Sequence, residues 1–483
     1  MNVNPAPSQE KTVTPVPEGM EVTPDDGYLL DSVIVNGDVN LISENIKKDV
    51  SIFGVTGSMQ AGINIVNSTI KEYCASTETI SANTFVQYVA GSYGVAASKQ
   101  LTTDCITTMP MATPIDDTRV LVSYINSAST ACYAVIVTIE NTTIIVGTPV
   151  SIGNMSNAMS PKMITALYFS NYNKAVVIYN TRMGMPGSCS YSVLTINGTS
   201  ITVNSSAVAI SSDWIDRVSK ISDTQFIGFG GANAYIYNFN GTSISKSTTK
   251  TMSFYVNDIL KISSSSYLCL GRDPNDDLTH LMGMVVDING TTITENTLTE
   301  IYDGRNSGTV TSAVKLEDGR YFIAHSQLYT GNNSEILYGS TITINNKTIT
   351  KGFTAVIDAG QSSTNYCTGK IITAGLMEGN KIIILHTQTS NNNLKVTVLT
   401  VGSSSFSKEQ NVAVNTSVSN DNVNWNLIML PSGRAYIVYG MTNSILTNQL
   451  KGTIKTATSA TALFGFTKTE ATTSSAGEVC VLA

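Results

Sequence analysis

Residues 281–301 read LMGMVVDINGTTITENTLTEI. The first half, 282–288, is apolar and rich in β-branched side chains; Asn289-Gly290 follows, and the chain returns through Thr292-Ile293-Thr294. Asn-Gly between two such runs is the strongest short-range hairpin signal. Both central residues of the favoured tight turn need φ > 0, which Asn tolerates and Gly adopts freely. The same hairpin recurs at Asn197-Gly198 and Asn240-Gly241, more loosely at Glu140-Asn141 and Asn345-Asn346, and in weaker copies at Gly402 and Ala457. With Ile293 marking the register, the matching positions are Ile144, Ile201, Ile244, Ile349, Phe406 and Ala462. They lie about 43 to 57 residues apart, the range of propeller blades.

Each unit opens on an apolar strand, takes a tight polar turn and enters a strongly apolar second strand. A variable loop leads to a third strand, and the Asn-Gly type of turn to a fourth. The second strands are RVLVSY (119–124), KAVVIY (174–179), QFIGFG (225–230), SYLCLG (266–271), RYFIAH (320–325), KIIILH (381–386) and RAYIVY (434–439). Seven second strands and seven hairpins predict an all-β chain, a seven-bladed β-propeller of four-stranded blades over residues 101–483. Radial closure leaves few exposed edges. Residues 61–100 are expected to be a connector and ring-closing strand, with the strand at 78–89 pairing with 461–482. Residues 1–60 are expected to form a small, mostly β, N-terminal module. Its strands are expected at 12–16, 30–35 and 50–55, around a helical turn at 43–48, and so small a module is marginal alone.

Composition narrows the function. Only 13% of the 483 residues are charged, and a net charge of −7 without basic clusters argues against nucleic acid, whose phosphates need Lys and Arg. No apolar run approaches the length that spans a bilayer, so no membrane insertion is expected, and residues 1–19 lack the apolar stretch of a secretory signal. The seven cysteines are scattered and never form C-x-x-C, as suits small buried hydrophobes in a reducing cytoplasm.

The phrases KTVTP, VTPDDGYLLDSVIVNG, LISENIKK and SIFGVTGSM, all within residues 1–60, resemble the N-terminal region of tail-associated proteins of phages, prophages and tail-derived bacteriocins of Gram-positive, Clostridium-like bacteria. TRVLVSY, YFIAH and TINGTSITV resemble the propeller-like repeats of the same proteins. The ending FGFTKTEATTSSAGEVCVLA resembles their closing phrase, here without the usual final proline. The resemblance implies a tail fibre or tail-tip receptor-binding protein located in the virion tail. Residues 1–60 would dock on tail or baseplate proteins and the propeller on a host cell-surface glycan or protein. Such fibres are commonly homo-oligomers, although no coiled-coil heptads appear here.

Loop lengths separate the two faces of the ring. Turns between first and second and between third and fourth strands are short, whereas the loops on the other face vary, and recognition sits on loops held by a rigid scaffold. The last residue of the second strand forms a column containing Tyr124, Tyr179, His325, His386 and Tyr439, expected at the rim of that face as ligand-binding groups; Trp214 and Trp425 flank its loops. The alternative is that the column packs blades together and that both Trp are core or loop anchors. No metal is expected. The histidines lack matching carboxylates, and the acidic loop Asp273-Pro-Asn-Asp276-Asp277 lacks the spacing of a calcium loop. With no G-x-S-x-G, P-loop or sialidase-type Asp-box, the expectation is no catalytic residue, no cofactor and no enzyme. The leading function is an adhesin on a tail; the alternatives are a propeller glycosidase or lyase degrading host polysaccharide, and a ligand-free tail decoration.

Overall fold

The computed structural model describes residues 7, 20–23, 25, 26, 28, 33–35, 51, 52, 55, 56, 71–74, 76, 78–82, 84–105, 110–128, 130–140, 143–154, 164–180, 189–210, 215, 217–273, 280–304, 311–329, 334–359, 373–377, 380–387, 394–415, 425–430, 435–441, 444–456, 465–467, 471 and 477–481. The chain divides into two compact units, 1–71 with 480–483, and 72–479. In the first unit, Met20–Val22 pairs antiparallel with Val33–Val35, and Ser51–Ile52 with Val55–Thr56. The expected strand at 12–16 and helical turn at 43–48 lie outside the described residues.

The second unit is a β-propeller. Among the described residues seven antiparallel sheets follow one another, each meandering from an inner strand outward. The inner strands are Met111–Pro114, Ile164–Phe169, Arg217–Ser222, Tyr255–Lys261, Thr311–Lys315, Thr373–Leu376 and Trp425–Met429. Each touches the next, and the seventh touches the first, so the ring closes. The turns read from Asn-Gly stand where expected: Gly198, Gly241 and Gly290 have φ of 59°, 89° and 61° at the third-to-fourth-strand turns.

Blade-to-blade packing explains why the second strands are apolar throughout rather than alternating. Val120, Val122 and Tyr124 of the first sheet pack on Tyr436 and Val438 of the seventh, while Leu121 and Ile125 pack on Val177 and Tyr179 of the second. Both faces of each sheet are therefore core, and a strand buried on both faces reads as a continuous apolar run. The described core falls into seven clusters, one for each pair of neighbouring sheets.

The seventh sheet departs from the expected layout. Its fourth strand does not lie near 462. It is Phe85–Thr102, which precedes the first blade and pairs antiparallel with Ser444–Thr456, from Thr102↔Ile445 to Val86↔Thr456. The chain end adds Phe85↔Phe466 and an Ile80↔Ala471 bridge beside it. One sheet thus carries both ends of the array.

On the short-turn face the blades are tied by a repeated contact. The first residue of a second strand, or the one before it, donates to a backbone carbonyl in the next blade's third-to-fourth turn. The pairs are Arg119 Nη1 to Gly198 O (3.0 Å), Lys174 Nζ to Gly241 O (2.7 Å) and Arg320 Nη1 to Gly402 O (2.6 Å). The turn carbonyls are held by cations that the sequence places at one position of the repeat.

Candidate functional site

An inner strand has a sheet neighbour on one side only, so its other edge carries backbone groups that need partners. The strand registers define one level around the ring. Met111, Thr165, Arg217, Asp258, Ser312, Thr373 and Asn426 stand opposite Ser123, Ile178, Phe229, Leu270, Ala324, Leu385 and Val438. Three side chains at this level accept a backbone N–H from the following inner strand: Asp258 Oδ2 from Ala313 (2.9 Å), Ser312 Oγ from Ala374 (3.0 Å) and Asn426 Oδ1 from Ala112 (3.3 Å). The level thus stitches the ring near its axis. Arg217 and Asp258, on neighbouring blades, are its two charged members.

The fourth blade is built differently to hold Asp258. Its inner strand carries a bulge, with Val256 opposite Gly271 and Asp258 opposite Leu270, leaving Asn257 extra. Bulges re-aim side chains. The Asn257 carbonyl accepts from Arg217 Nε at 2.8 Å. Gly271 is required here: a Cβ on it would stand 1.7 Å from the Tyr255 carbonyl oxygen. Asp258 Oδ1 also accepts the Ile259 N–H at 2.9 Å. Loss of hydration raises the Asp258 carboxyl to about 6, with Arg217 and the two N–H donors pulling the other way. A part-buried carboxyl titrating near neutrality beside a guanidinium is a candidate for proton transfer or for polar ligand recognition. The sequence offered a faint signal, an acid between the apolar residues of the inner strand YVNDILK.

The expected site residues are placed elsewhere. Tyr124, Tyr179, His325, His386 and Tyr439 do form one column, but all are buried, from 0% exposed at His325 to 4% at His386. They line no rim. The column instead ties second strands to third strands through a hydroxyl two residues beyond the cross-strand partner: Tyr179 OH with Ser192 Oγ (3.1 Å), His325 Nε2 with Ser340 Oγ (2.9 Å) and His386 Nε2 with Thr397 Oγ1 (2.8 Å). Tyr124 stacks on Tyr133. Burial holds His325 neutral, its pKa lowered to about 3. The amphipathic side chains that looked suited to sugars are used inside the blades. Trp214 lies outside the described residues, and Trp425 begins the seventh inner strand, its side chain undescribed. Most of the long-loop face, including 155–163, 181–188, 274–279, 305–310, 360–372, 388–393 and 416–424, also lies outside them. No group of His, Cys, Asp and Glu among the described residues is arranged to hold a metal ion.

No protein-family model matches the chain, and no curated protein matches it. Solved structures similar to it include the NanB sialidase from Streptococcus pneumoniae, at 12% identity over 74% of this chain and 70% of that one, with a TM-score of 0.42. The GH93 alpha-L-arabinofuranosidase of Fusarium graminearum is 11% identical over 77% of this chain and 98% of its own, with a TM-score of 0.35. A functionally unknown protein from Desulfotomaculum acetoxidans is 13% identical, covering 64% and 89%, with a TM-score of 0.40. The expectation that the chain is no enzyme is corrected here. That exclusion leaned on missing linear motifs, which do not rule out catalysis, and the solved structures similar to this chain include a sialidase and an alpha-L-arabinofuranosidase.

Proposed function

We propose that the chain is a carbohydrate-active β-propeller that engages and cleaves a bacterial surface polysaccharide, carried on the tail of a phage or tail-like particle. The observation that supports the chemistry is the Arg217–Asp258 pair in the inner ring, with the carboxyl raised to about 6. A general acid works best when its pKa lies near the operating pH. In this reading Asp258 gives its proton to the glycosidic oxygen as the bond from that oxygen to the anomeric carbon breaks; the hydroxyl of a water bonds to that carbon, and the water's proton returns to the Asp258 carboxylate. Arg217 orients the fourth blade's strand through the Asn257 carbonyl and faces the charge that Asp258 acquires.

The setting rests on the tail-protein phrases of residues 1–60. Those residues dock on tail or baseplate proteins, and the long-loop face meets the host glycan. Many copies per particle make weak single sites sufficient.

Asp258→Asn tests the chemistry, because Asn426 shows that an amide oxygen can accept the next blade's N–H at this level. Purified protein on isolated host wall polysaccharide is expected to release reducing ends, with release lost as pH rises through about 6 and lowered about a hundredfold or more in Asp258→Asn. No release by the wild type, or equal release by the variant, ends the proposal for Asp258. The setting is tested separately: deletion of residues 1–60 should abolish incorporation into particles while leaving polysaccharide release intact.

A further inference from the structure

Arg272 ends the second strand of the fourth blade, directly opposite Tyr255, the first residue of its inner strand. The guanidinium carbon lies 5.1 Å from the centre of the Tyr255 ring, and both side chains are half-buried. Other cations of the third and fourth blades are engaged: at the same end of the strands Arg217 Nε donates to Asn257 O at 2.8 Å, and at the opposite end Lys220 Nζ donates to Tyr168 O at 3.2 Å and Lys261 Nζ to Ile221 O at 2.7 Å. Arg272, in contrast, has no carboxylate or carbonyl partner among the described residues; the ring face is its contact. A guanidinium spread on an aromatic ring keeps its N–H fork open, the geometry that takes a carboxylate or phosphate by two parallel bonds.

The position is also constructed. The Asn257 bulge and the absence of a side chain at Gly271 bring the Tyr255 backbone against the second strand, so the residue after Gly271 falls over the Tyr255 ring. Arg272 and Asp258 then belong to one bulged pair of strands, with Arg272 at the end where the long loops begin. The chain's net charge of −7 repels an anionic polymer as a whole, so any affinity for one must be concentrated at local cations.

We propose that Arg272, held on Tyr255, is an anion-binding position of this site, and that the polymer engaged carries carboxylate or phosphodiester groups. The inference rests on the carbohydrate reading above and names its substrate class. Three soluble polymers test it by calorimetry on the full chain, at low and high salt: polygalacturonate, poly(glycerol phosphate) and neutral dextran. One or both anionic polymers should bind, more weakly at high salt, and at least about tenfold more weakly to Arg272→Gln. Arg272→Lys, which keeps the charge without the fork, should fall between them, with the melting temperatures of both variants close to wild type. Which polymer binds identifies the anion. The inference is overturned if neither anionic polymer binds, if dextran binds as tightly, or if Arg272→Gln binds like wild type. Polysaccharide cleavage that depends on Asp258 but not on Arg272 defeats this inference alone. Arg272-dependent capture of poly(glycerol phosphate) with no sugar polymer bound or cleaved defeats the carbohydrate reading and leaves the anion position standing.

Discussion

Asp258 performs a task that Ser312 and Asn426 perform without charge, accepting the N–H of the following inner strand. An ionised carboxylate there costs stability that a neutral acceptor does not. Its pKa is raised from 3.8 to about 6 on folding, so the folded state binds the proton more tightly than the unfolded one. The associated stability is complete below about pH 4 and is lost as pH rises through 6. Asp258→Asn should therefore be more stable than wild type at pH 7 to 8, by on the order of 1–3 kcal/mol, and match it near pH 4. Urea unfolding across that range measures the difference; equal stability at pH 8 would show that the carboxylate is not strained. The same scale shows what the sequence could not reveal. The register of the Tyr and His column was legible, but not its direction, because a polar-tipped ring at a strand end looks alike whether its tip meets water or a buried hydroxyl such as Ser192 or Ser340. Asp258 was overlooked for the converse reason: one acid in an inner strand has no linear motif.

At the scale of elements, the hairpins were legible because their chemistry is local. Asn-Gly demands a particular backbone, and Gly198, Gly241 and Gly290 adopt it. The turns also serve as acceptors for the preceding blade, which no local reading shows. Arg320 donates to Gly402 O and pairs with Asp318, while Asn380 Nδ2 donates to the same carboxylate at 2.6 Å. Arg320→Met should lower stability by about 1 kcal/mol, since these groups are partly exposed, and more at low salt than at high. Thermal melts at two salt concentrations check this; a variant indistinguishable from wild type would make the contact incidental. The fourth blade's bulge was illegible because nothing in the linear sequence shows that the space a Cβ would take at Gly271 is filled by the Tyr255 carbonyl.

For the whole molecule, the ring was inferred from repetition and its closure was only half foreseen. The incoming and outgoing ends do pair, but the incoming strand also completes the seventh blade, which repeat counting placed near Ala462. Counting fails at the seam because the strand that fills the gap lies on the far side of the array. Removing residues 1–102 should leave Ser444–Thr456 with an open edge and yield aggregating protein. Removing 1–70 should leave a cooperative, soluble propeller, as size-exclusion chromatography and melting would show; a soluble monomer from the longer deletion would mean that the seam is dispensable.

That seam also sets a timetable. Phe85–Thr102 leaves the ribosome before any of the seven inner strands, and Ser444–Thr456 only after all of them. Throughout synthesis the first strand must wait with its hydrogen-bonding groups unpaired, and the earlier blades can stack only as an open arc. The circle is completed only once Ser444–Thr456 has been made, so a message cut short before it yields an arc with two sticky ends.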